Sequence, residues 1–257
     1  MPNSSPLSAR PSQSLAMQSL LRADSLVLLN NKTSGLLSFF PALVIVVVTS
    51  FGQAQSRLGG AGLVIGLAVT LGLLISCLLG YTLALAHDRE VGVLQRLRVT
   101  PAPTWMIMTS RLTVQVAANL IASIVVLIVG SAVHHLALNV VQYLLVAAIA
   151  ILGAAVFLAI GQALVGLVAS TGAINAIGRL LMVALLLLGL LGGTGLLGDI
   201  WKSIAGWTPV GALMNLFSDV LNQAAFSSQD AYALLACAAY VIVFSYIGIR
   251  WFRWESR

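Results

Sequence analysis

Charge is scarce in this sequence. Only 8% of its 257 residues are Asp, Glu, Lys or Arg, whereas 60% are hydrophobic. Soluble domains carry about 25% charged residues, and 13 basic plus 7 acidic side chains cannot wet the surface of a body this size. An ordinary globular enzyme, a nucleic-acid-binding domain and a disordered chain are excluded on that ground, which leaves an integral membrane protein.

Catalytic patterns are missing too. There is no G-x-x-x-x-G-K-[ST] nucleotide loop, and the two lysines, Lys32 and Lys202, have no glycine context of that kind. Neither a G-x-S-x-G elbow nor an H-E-x-x-H pair occurs. No charged residue falls near the centre of an apolar run, which argues against an ion-coupled transporter, because such proteins hold titratable or coordinating groups at depth. Gln115, Asn119, Gln162 and Asn175 are polar there and suit interhelical hydrogen bonds. His134 and His135 are adjacent imidazoles with no carboxylate or thiol beside them and read as a polar turn, so no metal site is expected. Cys77 and Cys237 both fall in apolar runs, where a thiol behaves as a small apolar group.

What is present is a set of long charge-free windows: 33–56, 58–87, 112–178, 180–198 and 231–249. The longest is broken by His134, His135 and Asn139. A crossing helix needs about 20 apolar residues, so the windows yield six spans, roughly 35–53, 61–85, 112–133, 141–168, 176–197 and 231–250. Continuous rather than alternating hydrophobicity excludes a barrel. Pro41 is expected to kink the first span. The apolar stretch 203–218, interrupted by Gly206, Pro209 and Gly211, is too short to span and reads as re-entrant or interfacial. Residues 1–14 are polar and lack the apolar core of a secretory signal. Over 15–32, Met17, Leu20, Leu21 and Leu28 share a helical face that Asp24 spoils, an imperfect amphipathic helix suited to the membrane surface.

Lys and Arg mark cytoplasmic loops. With six spans and a cytoplasmic N-terminus, Arg10, Arg22, Lys32, Arg89, Arg96, Arg98, Arg111, Arg179, Arg250, Arg253 and Arg257 lie inside, and only Arg57 and Lys202 outside. The net charge of +6 is therefore topological, and no nucleic-acid partner is expected. Both termini are expected in the cytoplasm. An Arg-rich, Lys-poor composition suggests a GC-rich bacterial genome.

The informative segment follows span two. Asp88 to Pro101 reads DREVGVLQRLRVTP. Val91, Leu94 and Leu97 recur every three residues, the spacing of one helical stripe, while Arg89, Arg96 and Arg98 offer cationic surface beside Glu90. Thr100-Pro101 ends the pattern, since proline disfavours helix at the preceding residue. A short helix with apolar and charged faces suits docking onto a cytoplasmic partner; the same pattern also suits a helix lying back on the bilayer.

This segment resembles the E-x-G-T-L-E-R-L-x-x-T-P signature of ABC type-2 permeases, the membrane subunits of bacterial ABC exporters. Glu90, Gly92, Leu94, Arg96, Leu97, Thr100 and Pro101 match it position by position, with Val93 in place of Thr and Gln95 in place of Glu. The resemblance implies an all-α membrane fold with an N-terminal interfacial helix (1–34), a six-span permease domain (35–257), a coupling helix at 88–101 and an extracellular re-entrant hairpin at 198–229. It implies a non-enzymatic half-transporter of the daunorubicin-resistance type. That half-transporter pairs with a second copy or a similar permease and with two ATPase subunits, which carry the ATP and Mg. Arg89, Glu90, Gly92, Leu94, Arg96, Leu97, Thr100 and Pro101 would be the ATPase-docking set, and the exported substrate a lipophilic drug, a lipid or a glycan. Gly189, Gly192 and Gly193 form a small-residue face in span five, suited to a protomer contact, to the exit path or to packing within one protomer. The competing class is a membrane scaffold or assembly factor, which a neighbouring ATPase gene would argue against.

Overall fold

A computed structural model describes residues 13–30, 39–51, 60–93, 103–193 and 198–251, and their regular structure is entirely helical. The helices are α1 (Gln13–Asn30), α2 (Phe40–Ser50), α3 (Ala61–Glu90), α4 (Thr104–Val133), α5 (Val140–Leu167), α6 (Thr171–Gly193), α7 (Asp199–Trp207), α8 (Pro209–Leu221) and α9 (Ser228–Trp251). Five of them, α3, α4, α5, α6 and α9, are long and apolar enough to cross a membrane. The first expected span is represented by α2, 11 residues of described helix. Pro41 does not kink it. It stands in the first turn, where the missing N–H has no helical acceptor to lose.

The helices outrun the charge-free windows that predict them. α3 continues to Glu90 and α4 begins at Thr104, so Asp88 and Arg111 both lie within helices. They pair with each other at 2.6 Å, which removes the electrostatic reason for either helix to stop. Across the tight turn from α4 to α5, His134 Nε2 lies 3.2 Å from the Val46 carbonyl, and His135 takes a left-handed φ of 55°. Asn139 and Gln142 then form a reciprocal capping box at 2.9 and 2.8 Å, which starts α5.

α3 is the central element. Over its most apolar window 83% is buried inside the chain, compared with 17% for α6. Its middle, Leu74–Tyr81, is a π-helical segment, and Ser76 there accepts from Gln115 of α4 at 3.3 Å. α1 lies against α4, with its half-buried Asp24 accepting from Ser110 at 2.5 Å; the residue that spoils its apolar face is thus a contact.

The 203–218 stretch divides into two helices. Thr208 is extended, its hydroxyl accepts from the Gly211 N–H at 3.2 Å, and Pro209 opens α8, a strong start signal. α8 is 13 residues long, about 20 Å of helix against a hydrocarbon core of about 30 Å. It is nevertheless largely buried among the spans, with Val210, Ala212, Leu213 and Phe217 fully enclosed. Gly66 of α3 admits it: a Cβ there would press on Phe217.

Candidate coupling site

The charged sequence Asp88-Arg89-Glu90 ends α3, and its three side chains take three directions. Asp88 turns to Arg111 of α4. Arg89 turns inward and is only 2% exposed. Its guanidinium donates to the carbonyls of Val165, Val168 and Ala169 at 2.7, 3.0 and 2.6 Å. Those carbonyls close α5, where the last turn has no intrahelical donors and the helix dipole favours a cation. A planar guanidinium carries five N–H groups in a fixed fork, which suits it to reach several such oxygens at once. Glu90 is exposed, and so is Val91 at 56%.

Gly92 explains why the helix stops. Its φ is +75°, a conformation that a side chain resists, and its N–H bonds the Arg89 carbonyl at 3.2 Å. The single helix expected over 88–101 is therefore interrupted. α3 ends at Glu90, Val91 and Gly92 form a turn, and Val93 resumes helical geometry. Val91 caps the end of α3. Leu94, Arg96, Leu97, Thr100 and Pro101 lie outside the described residues.

The cationic surface expected of Arg89 is likewise absent, because α5 occupies its head group. Neither this contact nor the Asp88–Arg111 pair was legible in the sequence. Arg89 lies 76 residues from Val165, and no local pattern signals a bond across that separation. The same end of the bundle is tightened by Gly166 of α5 and Gly248 of α9, which bring two helix backbones together.

The span-five glycines divide. A Cβ on Gly189 would collide with Val210 of α8, so this residue packs within the protomer. The surroundings of Gly192 and Gly193 lie outside the described residues.

The model of the ABC-2 type transporter family matches residues 16–222, most of the chain. The chain belongs to the ABC-2 type transporter family. Neither a curated protein nor a solved structure matches it. As an ABC-2 permease it is a multi-pass membrane protein and a transport component without a nucleotide-binding motif of its own. The match begins within α1 and runs just past α8, so α7, α8 and the Arg89 end all fall within the family domain.

Proposed function

We propose that this permease is the membrane half of an ATP-driven exporter in a bacterial cytoplasmic membrane, with six spans and both termini in the cytoplasm. Two copies, or this chain and a similar one, form the pathway, and two separate ATPase subunits bind the end of the bundle that carries Arg89. The exported substrate is a lipophilic drug, a lipid or a glycan. α7 and α8 form the extracellular re-entrant hairpin.

One observation carries the docking assignment: Glu90 and Val91 are exposed directly beside the buried Arg89. A push on that exposed turn reaches the end of α5 through the guanidinium, without a flexible joint between. Glu90, with Gly92 and the following Leu94, Arg96, Leu97, Thr100 and Pro101, supplies the docking surface. Arg89 is a positioning residue that couples this surface to the spans.

The test is Glu90→Ala. Surface substitutions away from buried features change stability by no more than about 0.5 kcal/mol, whereas truncating one partner of a buried interfacial charge pair costs about 2–5 kcal/mol. The variant is expected to insert and fold as the parent does while recovering much less ATPase on copurification. Normal ATPase recovery and normal export would remove Glu90 from the docking surface. If the unaltered chain recovers no ATPase at all, the scaffold reading replaces this one. Topology is tested separately by Glu255→Cys, which an impermeant thiol reagent should label only after the cells are permeabilised.

A further inference from the structure

At the end of the bundle opposite Arg89, a cleft of about 530 Å³ opens between α5, α8 and α9. Its walls are mainly hydrocarbon, including Leu145, Ile149, Leu152, Leu216 and Leu234. That volume falls in the range of small-molecule sites, which combine apolar walls with a few placed polar groups. Two of the residues lining it are acidic, Asp219 on α8 and Asp230 on α9, and none is Lys or Arg.

Asp230 is 4% exposed. Its Oδ2 accepts from the N–H and hydroxyl of Ser227, at 2.8 and 3.0 Å, in the cap of α9. Its Oδ1 is buried and has no hydrogen-bond partner. The neighbouring polar group is the Asp219 carboxyl, itself an acceptor when ionised. Burial, then a side-chain hydrogen bond with Asp230, and then the Asp230 charge raise the Asp219 pKa to about 6. Above about pH 6 the proton that joins the two carboxyls is lost, and the half-buried Asp219 carboxylate is left beside the buried Asp230. Burying a charge or an acceptor unmatched is costly, so this arrangement calls for a cation that brings its own donors.

We propose that the cleft binds a lipophilic amine, with its ammonium group between the Asp219 and Asp230 carboxylates and its hydrocarbon along the leucine-lined wall. An ammonium supplies three donors and one positive charge. Hydrogen bonds between charged partners are roughly twice as strong as neutral ones. A zwitterionic phospholipid fits less well, because its phosphate finds no basic side chain among the residues lining the cleft. The binding does not depend on the ATPase partnership and is measured on the permease itself.

Because Asp219 titrates near pH 6, amine affinity rises as pH rises through that value. An alkyl ammonium resembles the lysine side chain, with a pKa of about 10.4, and stays charged throughout. The experiment uses the full-length chain in a non-ionic detergent, with dodecylamine and dodecanol as probes of equal length, read by the shift of the thermal unfolding midpoint. At pH 7.5 dodecylamine is expected to bind on the order of tenfold more tightly than dodecanol, and at pH 5 the gap narrows. Asp219→Asn and Asp230→Asn each narrow it; Asn keeps an acceptor for Ser227. The double variant abolishes it. Ala148→Trp, which adds bulk at a residue lining the cleft and keeps both acids, weakens both probes. Equal affinity for dodecanol and dodecylamine, or an amine preference that survives the double variant, would overturn the proposal. So would phosphatidylethanolamine competing as well as dodecylamine, since the occupant would then be a lipid headgroup.

Discussion

The two ends of the helix bundle handle buried charge in opposite ways. At the Arg89 end every described charge in the interior has a protein partner: Arg89 has three carbonyls, and Arg111 has Asp88. At the α8 end the Asp219 and Asp230 carboxyls are joined only while Asp219 keeps its proton, and Asp230 Oδ1 has no amide or hydroxyl donor. A satisfied polar network stiffens its surroundings, while an incomplete one is costly until something completes it. On the function proposed above, the first end transmits force and the second receives a ligand, and single substitutions should tell them apart.

Arg89→Ala is expected to have the largest effect. It withdraws a cation from three buried acceptors, and hydrogen bonds from charged groups are worth about 1.5–3 kcal/mol. A loss of about 3 kcal/mol in detergent-solubilised stability is expected, visible as a lower thermal midpoint and poor recovery. Arg89→Lys should restore only part of it, since an ammonium cannot span all three oxygens. A midpoint unchanged by Arg89→Ala would show that α5 is not held at this point.

Gly189→Leu comes next. A side chain at this position meets Val210, and overpacking costs about 1–3 kcal/mol. The variant should yield less monodisperse protein and a less firmly seated hairpin. A normal midpoint with impaired dimerisation would instead move Gly189 to a protomer contact.

Smaller still is the Asp88–Arg111 pair, which is partly exposed. A double-mutant cycle on Asp88→Asn and Arg111→Gln should return about 1 kcal/mol of coupling, near the upper end for surface pairs. Zero coupling would mean that the two helices run past these charges for other reasons.

The α8 end should respond with the opposite sign. The Asp219 pKa is raised from the usual 3.8 to about 6 in the folded protein. Its contribution is therefore fully favourable below the unfolded pKa and is lost as pH rises through about 6. Asp219→Asn removes that loss, so the variant should be slightly more stable than the parent at pH 7.5 and not at pH 4. Unfolding midpoints across that interval measure it. Destabilisation at pH 7.5 would show that the Asp219 carboxylate is already matched by a protein group.

Hydropathy made the five long helices legible, because a crossing segment must be apolar along its whole length. It misplaced their ends at Asp88 and Arg111, where two charges cancel in space and helix continues through both. Thr208-Pro209 and Asn139-x-x-Gln142 carried their caps openly in the sequence. In the sequence Gly92 is one letter of a signature inside an unbroken helical pattern; its positive φ shows why glycine stands there and where α3 must end. Arg89 looked like surface charge because its partners are backbone carbonyls, which every residue has and no sequence pattern marks. The Asp219–Asp230 pair was missed for a similar reason: the two residues sit on separate helices, and only packing brings them to one cleft.

The π-helical segment at Leu74–Tyr81 acts as a phase setting for the central helix. In a regular α-helix each residue turns the direction of everything after it by about 100°. Wide π turns usually occur as local bulges, often at functional sites. The compass bearing of Arg89 at the foot of α3 is therefore fixed eight residues upstream, by the winding that ends at Tyr81. Rewinding Leu74–Tyr81 to regular α geometry without changing the number of residues would turn the guanidinium away from the end of α5, although every side chain in the contact remained. Seen this way, the middle of the helix chooses the direction in which its end points.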